Sequence, residues 1–197
     1  MEPEIRAGLP ILNFPDPEAF RAWLDTHHAS APGLWLKIHK KHHPLPSVTY
    51  AQALDEALCF GWIDSTKNAY DADAFLQRFS PRKPRSVWSQ VNREHIKRLD
   101  AEGRMQAAGR AQVEAAKANG TWEAAYAPQS KGEVPPALQA ALDAHPAARA
   151  FFDTLSKAER FAFCYRVQHP KTEAGRAKRV AWAIARLAAS LTANDPA

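Results

Sequence analysis

The sequence predicts an α+β fold: a small antiparallel sheet flanked by helices, followed by an all-helical C-terminal segment. Three observations carry this. Alternating apolar and polar runs are confined to the first half of the chain. Helical periodicity with start and stop signals recurs along its length. Beyond the Pro-rich, polar stretch "APQSKGEVPP" only helical patterns remain. The expected division is an α+β body over residues 1–128 and a helical region over residues 129–197.

Each element has a local reason. In "FPDPEAFRAWLDTHH" Asp16 caps a helix, Pro17 suits its first position, and Phe20, Trp23, Leu24 and His27 share a face. "GLWLKIHKK" alternates, placing Leu34, Leu36 and Ile38 on one side and Trp35, Lys37 and His39 on the other, as in a half-buried strand. "TYAQALDEALCFG" is a helix with Thr49 and Gln52 at capping-box spacing and Gly61 as terminator. "WIDSTK" and "AFLQRFS" form a β-hairpin around "NAYDADA". "SQVNREHIKRLDAEG" is a helix capped by Ser89, with Val91, His95 and Leu99 inward, and "MQAAGRAQVEAAKANG" is another. In the tail, Ser156 and Glu159 again have capping-box spacing. The last helix carries an apolar stripe of Val180, Ile184, Leu187 and Leu191, with Arg176, Arg179 and Arg186 away from it.

The net charge is +5, and the cations are clustered. Arg78 to Arg110 holds nine cations and three acids, and Lys157 to Arg186 holds eight and two. Blocks of one sign attract anions. The two cysteines, Cys59 and Cys164, sit among apolar neighbours and imply reduced, buried thiols. "MEPEIRAGLPILNF" lacks the features of a signal peptide, and no apolar run has the length of a membrane span, so a cytoplasmic protein is expected. The histidines of "HKKHH" match no zinc spacing and lie beside lysines, so neither metal nor cofactor is expected. No phosphate loop, nucleophile elbow or zincin motif occurs. The balance leans towards a binding protein and away from an enzyme.

The stretch "RFSPRKPRSVWSQVN" concentrates the chemistry. Pro81 and Pro84 stiffen a loop carrying Arg78, Arg82, Lys83 and Arg85. Ser86 and Ser89 stand where they cap the following helix, whose N-terminus favours an anion. Trp88 and Asn92 complete the candidate ligand-binding set, with Asp64 on the neighbouring strand. Two uses remain open: an anion-facing element, or a cap whose arginines satisfy carbonyls and Asp64. Asp64 and Arg78 are expected to pair across the hairpin. Trp62 and Trp88 either stack on a base or pack in the core. A second basic patch comprises Lys171, Arg176 and Arg179; with Lys178 they set cations at a helix start, which opposes the helix dipole and so suggests a grip on an anionic partner.

At "ALCFGWIDS", "RFSPRKPRSVWSQVN" and "PKTEAGRAKRVAWAIARL" the chain resembles the YdeI/OmpD-associated, or bacteriocin-protection, family over about residues 14–191. The resemblance implies an association with stress response and with tolerance of bacteriocins and antimicrobial peptides. It also implies a small sheet flanked by helices. Three functions follow as expectations: a binding protein for a small anion or nucleic acid, a module recruiting a protein partner through the helical tail, or an enzyme using Asp64 as base and Arg78 and Arg82 as clamps.

Overall fold

Asp16 accepts a hydrogen bond from the amide of Ala19, and Pro17 follows at the first helical position, so helix α1 (Pro17–His27) starts where its sequence directs. The structure, a computed structural model, describes residues 3–84, 86–126, 134–168, 170 and 172–192. The chain forms two compact units, Met1–Ala125 and Tyr126–Ala197. The expected boundary at 128/129 lies outside the described residues.

The first unit holds five strands: β1 (Ile5–Arg6), β2 (Leu9–Leu12), β3 (Leu34–His39), β4 (Trp62–Ala69) and β5 (Ala74–Pro81). Its longer helices are α1, α2 (Tyr50–Cys59), α3 (Gln90–Ala101) and α4 (Ala107–Ala118). The strand order is β1-β2-β3-β5-β4. The sheet is mixed, which corrects the antiparallel expectation: β2 and β3 run parallel because α1 crosses between them. Strands β1 and β2 were not predicted. Their turn places Ala7 and Gly8 at φ 49° and 75°, the doubly positive geometry of a tight hairpin.

Alternation along β3 sorts the core. Leu34, Leu36 and Ile38 join Phe20 and Leu24 of α1, Leu54 and Leu58 of α2, and Phe79 of β5. Trp35, on the other face, packs with Leu9 and Leu76. The capping box of α2 is present in full, and Gly61 takes the left-handed conformation at φ 74° just after the helix. The β4–β5 hairpin runs further into "NAYDADA" than expected, leaving residues 70–73 as its turn. Helix α3 is capped by Ser89, but its inward positions are Ile96 and Leu99, with Val91 exposed.

The second unit contains α5 (Pro136–Asp143), α6 (Pro146–Thr154), α7 (Lys157–Gln168) and α8 (Glu173–Thr192). Ser156 and Glu159 exchange the capping-box bonds before α7. Ala183, Ile184 and Leu187 of α8 bury against Leu138, Leu142, Phe152 and Val167. This core fixes which side of α8 remains exposed.

Candidate functional site

The stiff loop after β5 is held together by its own chain. The Ser86 hydroxyl accepts from the Lys83 amide at 2.9 Å, the Ser86 amide donates to the Lys83 carbonyl at 2.9 Å, and Asn119 donates to the Pro84 carbonyl at 3.0 Å. Ser86 therefore closes the turn, while Ser89 caps α3 by accepting from the Asn92 amide at 3.0 Å. Arg82 is only 5% exposed; its guanidinium lies 3.5 Å from the Trp88 ring centroid and donates to the Val87 carbonyl at 3.2 Å. Trp88 and Trp62 are core residues, which leaves neither with a face for a base. Lys83 is exposed, Asn92 is half-buried, and Arg85 lies outside the described residues. Arg82→Ala should thus behave as a packing lesion, costing about 2 kcal/mol from the lost stacking and carbonyl bond. Chemical denaturation checks this; an unchanged midpoint would contradict it.

The expected Asp64–Arg78 pair does not form. Asp64 stands opposite Phe79, and an irregularity between Asp64 and Lys67 shifts the register, so Arg78 falls on the other face of the sheet, opposite Trp35. Asp64 instead accepts from the Tyr50 hydroxyl at 2.9 Å. The arrangement of Asp64 as base between two arginine clamps therefore lacks its geometry.

In the first cationic block, Lys97, Arg98, Arg104 and Arg110 pair with acids. Arg98 bonds both carboxylate oxygens of Asp55 at 2.7 Å and also reaches Glu102. His95 contacts Asp55 at 2.7 Å. Burial pushes the Asp55 carboxyl up, but the Arg98 and His95 bonds outweigh it and hold it below the usual carboxylate range. Arg104 pairs with Glu56 and Glu102, Arg110 with Asp100, and Lys97 with Glu94. Arg93 packs on Trp122 and donates to its carbonyl.

The second block differs. Arg166 near the end of α7 and Lys178 and Arg179 on α8 are exposed, and none forms an ion pair among the described residues. Together with Tyr165, Pro170, Gly175 and Trp182 they line one cavity of about 650 Å³. Its geometry is set locally. Thr172 caps α8 by accepting from the Gly175 amide at 3.1 Å. A Cβ on Gly175 would come within 2.9 Å of the Thr172 hydroxyl and 3.0 Å of Pro170, so glycine permits the close approach at the cavity edge. Trp182 lies between helices beside Phe163, with centroids 5.7 Å apart, and the Arg166 guanidinium sits 5.0 Å over its ring. Burial pushes the Tyr165 phenol up, so it stays neutral near pH 7.

Of the predicted tail patch, Arg179 reaches this cavity and Lys171 lies outside the described residues. Arg176 lines a separate groove with Ala137, Ala141, Val180 and Ala181, and donates to the Pro170 carbonyl at 3.4 Å.

A family model described as Domain of unknown function (DUF8412) matches residues 12–112, just over half of the chain. The chain belongs to that family. A second model, described as Bacteriocin-protection, YdeI or OmpD-Associated, matches residues 131–190. The resemblance read from the sequence therefore stands for the helical unit, whereas "ALCFGWIDS" and "RFSPRKPRSVWSQVN" fall in the DUF8412 part. All seven cavity-lining residues lie within 131–190. No curated protein and no solved structure matches the chain. No helix among the described residues is long and apolar enough to cross a membrane.

Sequence reasoning missed Arg166, Tyr165 and Trp182 as site residues, and Lys178 entered only as part of a helix start. A signal was present: Lys178, Arg179 and Trp182 are spaced so that the tryptophan stands four and three residues beyond the cations, the interval that puts side chains on one helix face.

Proposed function

We propose that the chain is a binding protein for a multiply charged anion, seated in the cavity between α7 and α8. The observation that carries this is the convergence of Arg166, Lys178 and Arg179 on one concave surface without acid partners among the described residues. Uncompensated like charges in a concavity repel one another and focus a positive potential, and an anion relieves both effects. Charge-assisted contacts from guanidinium and ammonium groups then supply most of the affinity. The match of this unit to the bacteriocin-protection family supports a role in tolerance of bacteriocins or antimicrobial peptides.

Titration calorimetry of the full chain with pyrophosphate tests the seat. Lys178→Ala combined with Arg179→Ala should weaken binding about a hundredfold while leaving the melting temperature within a degree or two, because both side chains are exposed. Unchanged affinity in the double variant would overturn the assignment.

The apolar groove of Ala137, Ala141, Val180, Ala181 and Ile184 favours a second reading, a surface for a protein partner. Ala181→Arg should then abolish recovery of the partner without changing pyrophosphate binding; retained recovery would count against it.

A further inference from the structure

Inorganic anions are small for the α7–α8 cavity. At about 650 Å³ it falls in the range of seats for organic ligands of tens of atoms. Its lining is also divided in chemistry. Lys178 and Arg179 are cations on α8, whereas Tyr165 and Trp182 present ring surface. Arg166 joins the two: its guanidinium lies over the Trp182 ring, 5.0 Å from the centroid, and a planar cation held against one ring keeps its other face available for a second.

Both aromatic residues are held in place before any ligand arrives. Trp182 packs beside Phe163 at 5.7 Å, and Tyr165 meets Tyr126 edge-on at 5.2 Å and Phe161 at 5.8 Å. A preorganised ring surface beside fixed cationic charge selects a ligand that is itself a flat ring joined to an anionic group. Resting on the anion-binding reading above, we infer that the cavity takes a nucleoside phosphate. Its phosphates are held by Lys178 and Arg179, and its base stacks on the Arg166 guanidinium against Trp182. This chemistry is shared by a free nucleotide and by the end of a single nucleic-acid strand. Base stacking on aromatic and guanidinium planes tolerates any base, so little sequence preference is expected.

The test compares adenosine diphosphate, pyrophosphate and adenosine as probes on the full chain by calorimetry. The diphosphate should bind at least tenfold more tightly than either pyrophosphate or adenosine. Arg166→Lys keeps the charge and removes the planar surface; in this variant the diphosphate should bind no more tightly than pyrophosphate. Arg166 is exposed, so this variant should also leave the melting temperature unmoved. Equal affinities for the diphosphate and pyrophosphate in the native chain would overturn the inference and leave the anion reading standing. Absence of binding by every phosphate would overturn both. Competition with a short single-stranded oligodeoxynucleotide separates the sources. Displacement of the diphosphate at lower concentration assigns a strand, and failure to displace it assigns the free nucleotide.

Discussion

Gly109→Ala should destabilise the first unit by about 3 kcal/mol or more and lower its melting temperature by roughly 10 °C. Helix propensity alone argues for the opposite sign, since alanine favours a helix interior over glycine by about 1 kcal/mol. Packing decides the sign. Helix α4 crosses the C-terminal end of α2 at Gly109, and a Cβ there would drive into the Cys59 carbonyl oxygen and stand 2.9 Å from that of Leu58. These are backbone atoms, so no side-chain rotation relieves the contact. The same Cys59 carbonyl accepts from the Gln106 amide at 3.1 Å, which fixes the entry of α4. Differential scanning calorimetry reads the effect directly. A variant as stable as the native chain would mean that α2 and α4 do not meet this closely.

Glu56→Ala should cost about 3 kcal/mol. Glu56 is 4% exposed and pairs with Arg21 of α1 at 2.8 Å and with Arg104 after α3. Arg21 also donates to the Arg104 carbonyl at 3.2 Å. One carboxylate therefore ties together three separate segments. Its removal leaves two guanidinium groups, each about one-third exposed, facing each other without this counter-charge. Their partial solvation keeps the cost at the lower end of what breaking a buried pair brings. Urea denaturation of Glu56→Ala and Glu56→Gln checks this, with the glutamine variant intermediate because it retains acceptor geometry without the charge. Equal midpoints for all three proteins would show the network to be energetically idle.

Local rules in this chain are legible from the sequence because their causes are local. The boxes at Thr49–Gln52 and Ser156–Glu159, the Asp16 cap and the alternation of Leu34 to His39 all act within a few residues, and each appears as expected. Strand β1 was not legible, since two residues are too few to show alternation and its turn uses Ala7 at positive φ. The register of β4 on β5 depends on an irregularity after Asp64 that no alternation pattern reveals, and it separates Asp64 from Arg78.

Charge counting failed for a related reason. The window from Arg78 to Arg110 is strongly cationic, but Asp55 and Glu56, more than forty residues before Arg98 and Arg104, neutralise those two arginines in the fold. The α7–α8 cavity has the converse history. Arg166 is brought beside Lys178 and Arg179 by packing of α7 on α8, and the sequence suggested only the α8 half of that site.

The measurement that most directly tests the central claim is an amide and side-chain NMR titration of the full chain with pyrophosphate at low salt. It samples both cationic segments at once. Saturable shifts at the Gly175 amide, the Lys178 and Arg179 side chains and the Trp182 indole, with the Lys83, Ser86 and Asn92 amides still, are the expected result. Movement confined to Lys83–Asn92, or at neither segment, would contradict it.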